Sequence, residues 1–385
     1  MSIRATKQIE NSPLPGGPAF IQGNEAIADA AVIAGCRFFA GYPITPSSEI
    51  MRRMIERFHT LDGRFVQMED ELGSIAAVIG AAWTGAKAMT ATSGPGLSLM
   101  IENLGYATMT ETPLLLVNVQ RVGPSTGQAT RPAQGDVMQA RWGGHGGFPC
   151  IALAPSSVQE LIDFTIRAFN LAEAFRTPVL LMADEIVGHL RENCVFPEQV
   201  EIWQRYYAPG EPPFDTDHPS LVPSMPKFGD GEDLLITGST HDARGLRMAS
   251  SAEVQARVSW RLHEKFERGR DEIVRTQHFG EAQPKLLLVS YGGSARAARQ
   301  ALTRLLDQGR DAGLLKLDTL WPFPEQQLQA AAAKADQVLV VEANCGQIVL
   351  EVERLLRNGP RVTAHLRHDG EAITPSEVLA AAEAL

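Results

Sequence analysis

Three consecutive carboxylates stand directly before a long run of small apolar residues. Glu69, Asp70 and Glu71 precede Leu72–Ala86, a segment rich in alanine and glycine. Acidic side chains at the start of a helix commonly complement the helix dipole, and this is the simplest interpretation of the pattern. A helix of small residues also packs closely against its neighbours, so an acid at its start would border a narrow crevice. Such a carboxylate could hold a proton or form a strong hydrogen bond there.

A threonine in the string YPITPSSE is open to two interpretations. Thr45 could be the N-cap of a helix that has Pro46 at its first position. A similar string, ITPSE, recurs at Ile373–Glu377, where the spacing of Thr374 and Glu377 predicts a capping box. The repeat favours a helix start at both places, and contact between Thr45 and a ligand is the alternative.

An arginine follows the most continuous apolar segment of the chain. Arg121 comes after LLLVNVQ and is followed by the polar loop GPSTGQATRPAQGD at Gly123–Asp136. Its guanidinium could pair with a surface acid, or it could bind a substrate carboxylate through two parallel hydrogen bonds. A long loop of this composition suits ligand binding, so Arg121 is a candidate for contact with a substrate.

The elements that must position these residues alternate between helix-like and strand-like patterns. We expect a first helix capped by Asn24. Almost unbroken apolar runs such as Pro113–Val119 are typical of strands buried on both faces. Repeated β-α-β units predict an α/β fold with a doubly wound parallel sheet, whose ligands lie at the carboxyl ends of the strands. The predicted strands are RFFAGY, RFVQM, KAMTAT, PLLLVNV, PCIALAP and PVLLMAD, and the predicted helices include Pro46–Phe58, Leu72–Ala86, a helix from SGPG to Met109, and Val158–Ala174.

The alternating pattern stops after the first α/β unit. Residues 206–226 are rich in proline, aspartate and histidine and predict an extended connector, and residues 250–277 predict a charged helix. A second, smaller α/β unit starts at KLLLVSYGG. We therefore divide the chain into an N-terminal extension (1–22), an α/β domain (23–205), a connector with a charged helix (206–283) and a C-terminal α/β domain (284–385).

Composition and charge argue against several classes of protein. The chain has a net charge of −10 at pH 7, whereas nucleic-acid-binding proteins carry a basic patch. Its four cysteines have no C-x-x-C pairing, which argues against a zinc or iron–sulfur site held by this chain alone and favours a reducing compartment. The N-terminus lacks the apolar stretch of a secretory signal, and Leu72–Ala86 is too short for a membrane span. We expect a cytoplasmic protein without membrane association.

The ordered set of these segments resembles the α subunit of the 2-oxoacid:ferredoxin oxidoreductases. The resemblance is carried by GYPITPSSEI, EDELGSIAAVIGAAWTGAKAMTATSGPG, TETPLLLVNVQRVGPSTGQATRPAQGD and RTPVLLMADE, and then by LLITGSTHDARG, LLLVSYGGSARAAR, LDTLWPFP and VEANCGQ. It covers nearly the whole chain from about Gly23 onward, and the 2-oxoglutarate branch is the most similar. The resemblance implies that the first α/β domain is of the pyrimidine-binding type found in thiamine enzymes.

This resemblance also implies an activity and a division of work between subunits. The family oxidatively decarboxylates a 2-oxoacid with thiamine diphosphate, passes electrons through an iron–sulfur cluster to ferredoxin, and forms an acyl-CoA, which is succinyl-CoA when the substrate is 2-oxoglutarate. A β subunit holds the diphosphate, Mg²⁺ and a [4Fe-4S] cluster. This chain accordingly has no G-D-G…N segment of the diphosphate half, since the G-D-G at 229–231 is followed by no asparagine before Asn344. We expect a heterodimer with the β subunit, doubled to a heterotetramer by two-fold symmetry.

The three candidate residues acquire roles from the same resemblance. Glu71 corresponds to a glutamate that hydrogen-bonds N1′ of the aminopyrimidine and favours the imino tautomer that activates the cofactor. Glu69 and Asp70 are alternative registers for this residue. Thr45 corresponds to a threonine that contacts the 2-oxoacid, and Arg121 to an arginine that pairs with the substrate carboxylate.

Several alternatives stay open at this point. The substrate could be pyruvate or a branched 2-oxoacid, and a further domain that some relatives carry before the α-type domain is expected to be absent or supplied by another chain. A nicotinamide-binding Rossmann protein is the nearest alternative by fold, but SYGGSARAA is only a loose glycine turn and predicts a tight turn before the helix Arg296–Leu306. A non-catalytic regulatory or assembly subunit is the other alternative, and it would tolerate replacement of Glu71.

Overall fold

A computed structural model describes residues 3–385, which form two main sheets and two small two-stranded sheets. Among these residues, none of the helices combines the length and the apolar character that crossing a lipid bilayer requires. The strands are β1 (Ala5–Asn11), β2 (Gly17–Gln22), β3 (Cys36–Gly41), β4 (Arg64–Gln67), β5 (Lys87–Thr92), β6 (Leu114–Val122), β7 (Gln128–Pro132), β8 (Ile151–Leu153), β9 (Pro178–Asp184), β10 (Arg191–Phe196), β11 (Gln199–Arg205), β12 (Thr276–Gly280), β13 (Leu286–Ser290), β14 (Ala312–Leu317), β15 (Thr319–Trp321), β16 (Gln337–Glu342) and β17 (Arg361–Leu366). The helices are α1 (Gly23–Ile33), α2 (Ser48–Phe58), α3 (Glu71–Trp83), α4 (Gly94–Met109), α5 (Val137–Trp142), α6 (Val158–Phe175), α7 (Glu185–His189), α8 (Ala252–Arg268), α9 (Arg270–Ile273), α10 (Ser294–Asp307), α11 (Glu325–Ala331), α12 (Ile348–Leu355) and α13 (Pro375–Glu383), with a short 3-10 helix at His145–Gly147.

The larger main sheet has eight strands and is the doubly wound parallel sheet predicted from the sequence. Its order is β15-β8-β9-β6-β5-β3-β4, and β7 pairs with β6 beside this path. The six strands from β8 to β4 in this order run parallel, whereas β15 and β7 are antiparallel to their neighbours. Helices α1, α2 and α6 pack on one face, and α3 and α4 pack on the other.

Strands β6 and β9 are mostly apolar because both faces of the sheet are covered. Every residue of these two strands is buried. Neighbouring residues of β6 enter opposite cores: Leu116 packs with the α3–α4 side, and Val117 packs with the α1–α6 side. Burial of each such side chain contributes roughly 1.5–3 kcal/mol, which explains the unbroken apolar run that predicted the strand.

The chain reverses its direction of travel across the sheet between β3 and β5. From β3 it passes to β4 at one edge, and it then returns to β5 on the other side of β3. At such a switch point the connections leave neighbouring strands in opposite directions and open a crevice outside the carboxyl ends. The segment after β3, the start of α3 and the start of α4 all lie at these carboxyl ends.

The smaller main sheet has five strands in the order β12-β14-β13-β16-β17 and confirms the predicted second α/β unit. All of its pairs are parallel except β12 with β14. Strand β12 lies in the segment that we assigned to the connector, and β15 pairs with β8 of the larger sheet. The residue boundaries that we drew between segments remain a prediction.

The glycine turn before α10 contacts the first α/β unit. The Gly293 N–H donates to Asp184 Oδ2 at 2.6 Å, and Gln134 Nε2 donates to Asp184 Oδ2 and to the Tyr291 carbonyl, both at 3.0 Å. A Cβ on Gly292 would lie 2.5 Å from Gln134 Nε2, and Gly292 has a φ of 53°. These glycines therefore permit close packing between the turn before α10 and the first α/β unit. Because this packing accounts for the glycine turn, the main support for the Rossmann alternative is removed.

A buried glutamate of the smaller sheet fills the start of α12. The Glu342 carboxylate accepts hydrogen bonds from the N–H groups of Gln347, Ile348 and Val349, each at 3.0 Å. The Tyr291 hydroxyl donates to it at 3.1 Å. The position where an open α/β sheet would bind an anion is thus occupied by a side chain of the chain itself.

Two helix starts predicted from the sequence are wrong. Helix α1 begins at Gly23, so that Asn24 lies inside it with a fully buried side chain. Helix α2 begins at Ser48 and has Ser47 at the cap position, so Thr45 is not its N-cap. Both polar residues are used in contacts between elements, as described below. The capping box of Thr374 and Glu377 at the start of α13 is confirmed.

The amino end of the larger sheet is closed by a buried cluster of charges. Glu111, in the turn before β6, accepts hydrogen bonds from Arg261 at 2.5 and 2.9 Å and from Lys265 at 2.9 Å. Arg261 also donates to the carbonyls of Phe214 and Leu221, so α8 and the connector are fastened to the sheet. Burial alone would raise the pKa of Glu111, but the charges of Arg261 and Lys265 outweigh it and hold the pKa well below its ordinary value.

We expect the substitution Glu111→Gln to lower the free energy of unfolding by about 3–5 kcal/mol, because it leaves two buried cations without a countercharge. Urea unfolding followed by circular dichroism measures this change. The control is Glu325→Gln, which breaks an exposed pair with Arg354 and should cost no more than about 1 kcal/mol. Equal effects of the two substitutions would contradict the structural role of the cluster.

Candidate active site

The three candidate residues all lie at the carboxyl ends of the larger sheet. Thr45 follows β3, Glu71 begins α3 after β4, and Arg121 is the second-last residue of β6. The structure brings two of them into direct contact, because Arg121 Nη1 donates to the Thr45 carbonyl at 2.7 Å. The side chain of Thr45 is exposed. Glu71 lies beside the starts of α3 and α4 in the crevice next to β5.

The acids at positions 69–71 have three different environments. Asp70 is the N-cap of α3, and its Oδ1 accepts a hydrogen bond from the Gly73 N–H at 2.7 Å. Glu69 is exposed, whereas Glu71 is 5% exposed. The helix-start interpretation therefore applies to Asp70, and Glu71 is the acid that is directed into the protein.

The carboxylate of Glu71 has no hydrogen-bond or ion-pair partner within residues 3–385. Its Oε1 would lie 2.5 Å from a Cβ on Gly96, and Thr92 Oγ1 would lie 2.0 Å from the same Cβ. Glycine at position 96 is therefore what allows both oxygens to lie against the start of α4. Burying a carboxylate without a donor costs free energy, so this arrangement fits a ligand that brings a donor of its own.

Further polar atoms at the same edge are also buried without a partner. Asn118 Nδ2 donates to Asp136 Oδ2 at 2.9 Å, while Asn118 Oδ1 and Ser93 Oγ have none among the described residues. Asn118 pairs with Thr92 in the β5–β6 ladder, so these atoms share one end of the sheet. Burial raises the pKa of Asp136, although Asn118 and Arg121 partly offset this. The signal for Asn118 in the sequence was one amide inside an apolar run.

Arg121 is 7% exposed and forms no ion pair in the part of the chain that the structure describes. One of its guanidinium nitrogens donates a hydrogen bond to the Thr45 carbonyl, and its Nε is buried without a hydrogen-bond partner. Arg121 therefore does not pair with a surface acid among the described residues, and that alternative is wrong. The buried positive charge is suited to an anionic ligand.

A second group of polar side chains holds the segment that carries Thr45. Asn24 Nδ2 donates to the Pro46 carbonyl at 2.7 Å and to Glu49 Oε2 at 3.0 Å. His189 Nε2 lies 3.6 Å from the same Glu49 oxygen, and His189 Nδ1 lies 3.0 Å from Glu185 Oε1. No sequence pattern predicted this group, because its members come from three helices that are distant in the chain.

No group of three or more His, Cys, Asp or Glu side chains within residues 3–385 is arranged to hold a metal ion. The cysteines are unpaired, with Cys36, Cys150 and Cys194 buried and Cys345 exposed. The polar chemistry of the crevice thus comes from the carboxylate, guanidinium, amide and hydroxyl groups described above.

Comparison with families of known proteins identifies the chain. Residues 29–259 match the family described as pyruvate flavodoxin/ferredoxin oxidoreductase, thiamine diphosphate-binding. The chain belongs to this family. Residues 285–378 match core domain II of pyruvate:ferredoxin oxidoreductase. The resemblance noted from the sequence is confirmed, and the chain is a subunit of an oxidoreductase with a thiamine diphosphate-binding domain.

Relatives over the full length of the chain carry more specific names. It is 50% identical over 364 residues to the 2-oxoglutarate synthase subunit KorA of Methanothermobacter thermautotrophicus, covering 94% of this chain and 96% of the relative. It is 49% identical to KorA of Methanocaldococcus jannaschii, covering 93% and 97%. Identity to the ketoisovalerate oxidoreductase subunit VorB of Methanothermobacter thermautotrophicus is 35%, covering 85% and 87%.

Solved structures agree with this family. The 2-oxoglutarate:ferredoxin oxidoreductase from Magnetococcus marinus, with 2-oxoglutarate, coenzyme A and succinyl-CoA bound, superposes with a TM-score of 0.89 at 29% identity. The match covers 95% of this chain and 65% of that chain. An inactive tetramer of a split-gene transketolase superposes with a TM-score of 0.58 at 14% identity over 95% of this chain and 98% of its own, and it shares the fold alone.

We expect Glu71→Gln to change the free energy of unfolding of this chain by no more than about 0.5 kcal/mol, or to raise it, because the carboxylate has no partner to lose. Urea unfolding under the conditions used for Glu111→Gln measures the difference between the two buried glutamates. A loss of more than about 1 kcal/mol would show that Glu71 has a structural partner.

Proposed function

We propose that this chain is the α-type subunit of a thiamine diphosphate-dependent 2-oxoglutarate:ferredoxin oxidoreductase. The complex would convert 2-oxoglutarate and CoA to succinyl-CoA and CO₂ and reduce ferredoxin, and it would be active only with its β subunit. The observation that carries this proposal is the Glu71 carboxylate, which is buried at the start of α3 and lacks a hydrogen-bond donor in the described chain.

The residues around Glu71 fit the pyrimidine of thiamine diphosphate. The Glu71 carboxylate would accept a hydrogen bond from N1′, and glycine at position 96 leaves room for that carboxylate at the start of α4. When bound, the cofactor supplies the carbanion chemistry at the carbonyl carbon of the 2-oxoacid. Glu71 would hold the proton at N1′ through this hydrogen bond. The diphosphate, Mg²⁺ and the [4Fe-4S] cluster would be held mainly by the β subunit.

Arg121 and Thr45 would bind the 2-oxoacid. The buried Arg121 guanidinium has an unpartnered Nε and forms no ion pair in the described chain, which supports a contact with the substrate carboxylate. Its hydrogen bond to the Thr45 carbonyl places the exposed Thr45 side chain beside the same charge. The two residues would thereby orient the substrate toward the reacting end of the cofactor.

Exposed apolar side chains around the crevice support a protein partner at this edge. Tyr42 follows β3, Val66 lies in β4, Leu72 is the second residue of α3, and Leu99 lies in α4. These side chains are 41%, 38%, 43% and 45% exposed. Apolar and aromatic residues of this kind form the centres of protein interfaces. We propose that the β subunit covers them and completes the cofactor site, with two such heterodimers related by two-fold symmetry.

Sequence identity favours 2-oxoglutarate over a branched 2-oxoacid as the substrate. The chain is 50% identical to a 2-oxoglutarate synthase subunit and 35% identical to a ketoisovalerate oxidoreductase subunit of the same organism. Pyruvate and branched 2-oxoacids remain the alternative substrates. The unpaired cysteines support a reducing cytoplasm as the place of action.

Co-expression with a β-type subunit tests the proposal. The purified complex should be brown and should reduce a viologen dye when 2-oxoglutarate and CoA are supplied, whereas the chain alone should be colourless and inactive. A panel of pyruvate, branched 2-oxoacids and 2-oxoglutarate identifies the substrate. A complex whose properties do not depend on thiamine diphosphate would instead support the alternative of a regulatory or assembly subunit.

In this complex we expect Glu71→Gln to lower kcat by about 10²- to 10⁴-fold, because an amide cannot hold the proton at N1′ as a carboxylate does. Steady-state dye reduction measures the loss, and gel filtration verifies that the complex still assembles. Glu69→Gln is the matched control, since Glu69 is exposed two residues away and should retain full turnover. Wild-type turnover in the Glu71 variant would refute the assignment.

For Arg121→Lys we expect a KM for the 2-oxoacid raised by about tenfold or more with folding intact, since lysine keeps the charge but loses the planar fork. Arg131→Lys in the following loop is the control, because Arg131 is exposed and pairs with Glu371. An unchanged KM for every 2-oxoacid in the panel would rule out a substrate-binding role for Arg121.

A further inference from the structure

Two successive carbonyl groups fix the backbone beside the proposed substrate site. The Thr45 carbonyl accepts a hydrogen bond from Arg121, and the Pro46 carbonyl accepts one from Asn24, each at 2.7 Å. The two donors belong to different elements, since Arg121 lies near the end of β6 and Asn24 lies in the first turn of α1. Arg121 is also proposed to bind the substrate, whereas the buried Asn24 side chain contacts only other residues of the chain.

Asn24 is itself fixed by its surroundings. Its side chain is fully buried, and its Nδ2 also donates to Glu49 Oε2 at 3.0 Å. A Cβ on Gly188 would lie 2.8 Å from Asn24 Oδ1, so only glycine at that position leaves room for the amide. The amide is thus held between α1, α2 and α7 with its donor directed at the loop.

The Glu49 carboxylate links this amide to a histidine. His189 Nε2 lies 3.6 Å from the Glu49 oxygen that Asn24 contacts, and His189 Nδ1 lies 3.0 Å from Glu185. A protonated imidazole between two carboxylates attracts both of them, which draws Glu49 and the start of α2 toward α7. Thr45 stands three residues before that helix.

We propose that Asn24 and His189, acting through Glu49, are positioning residues that hold the Thr45–Pro46 segment against Arg121 and so set the affinity for the 2-oxoacid. This inference rests on the proposed function of Thr45 and Arg121. It assigns neither Asn24 nor His189 a contact with substrate or cofactor.

The arrangement gives the affinity a direction of change with pH. The hydrogen bond that the Glu185 carboxylate accepts from His189 raises the pKa of His189 above its ordinary value, burial opposes this, and the charge of Glu49 adds to the increase. A raised pKa means that the attraction is present at low pH and is lost as pH rises through that pKa. Charged residues on the other elements packed against α7 have partners of their own: Glu25 with Arg52, Asp29 with Arg53 and Arg57, Arg121 with Thr45, Arg131 with Glu371, and Asp184 with the Val187 N–H.

The first test is Asn24→Ala in the co-expressed complex. We expect the KM for the 2-oxoacid to rise about tenfold, with kcat and thiamine diphosphate affinity within about twofold of wild type, because one buried hydrogen bond to the loop is lost. The matched control is Asn170→Ala, since Asn170 is also buried but bonds the backbone of Glu201 and Trp203. That control should affect thermal stability without changing KM.

Hydrogen–deuterium exchange supplies a readout that does not depend on activity. Peptides covering residues 41–49 should exchange faster in Asn24→Ala than in wild type or in Asn170→Ala. Unchanged exchange in this segment, or equal changes of KM in the two asparagine variants, would overturn the inference.

The second test uses a partly exposed residue whose replacement does not threaten folding. In wild type the KM should rise several-fold as pH increases above about 6.5 toward 8.5. His189→Gln should show the higher KM at every pH, and His189→Lys should keep the lower KM at every pH because its charge persists. His145→Gln is the control, since His145 is exposed and pairs with Glu102 elsewhere. A His189→Gln variant with the wild-type pH profile would overturn the role of the histidine.

These outcomes separate the inference from the proposed function. A wild-type complex that shows no 2-oxoacid-dependent dye reduction would refute the proposed function. An active wild-type complex whose KM is indifferent to both the Asn24 and the His189 substitutions would refute the positioning role alone.

Discussion

A buried carboxylate requires a donor, and this requirement distinguishes the two ends of the larger sheet. At the amino end Glu111 is completely satisfied by Arg261 and Lys265, which fasten α8 and the connector to the strands. At the carboxyl end Glu71 is nearly as deeply buried but has no donor within residues 3–385. One end of the sheet is therefore closed by the chain's own side chains, whereas at the other end a buried carboxylate lacks a hydrogen-bond donor among the described residues.

The incomplete end is assembled from successive strand ends of one parallel sheet. Each connection leaves its strand at the same edge, so Thr45, Glu71 and Arg121 all lie at that edge although they are distant in the sequence. The small residues of α3 and the glycine at position 96 let the acid lie against the start of α4.

Sequence patterns predicted the elements whose formation depends on neighbouring residues or on burial along a whole segment. The unbroken apolar run of β6 follows from burial on both faces, and the alanine-rich α3 follows from close packing. The string ITPSE at Ile373–Glu377 forms the expected capping box, yet the similar string at Thr45 does not, because its carbonyls are bound by Asn24 and Arg121. Contacts between distant elements outweighed a local preference there, and no pattern within the string could reveal this.

The side chains that fill the crevice of the smaller sheet also restrict how this subunit can move. Gln134 and Asp184 of the first α/β unit are hydrogen-bonded to the turn at Tyr291–Gly293, and Glu342 occupies the start of α12. Swinging the two sheets apart would expose this network and leave its buried polar groups unpaired. The packing at this junction therefore opposes a hinge motion between the two sheets.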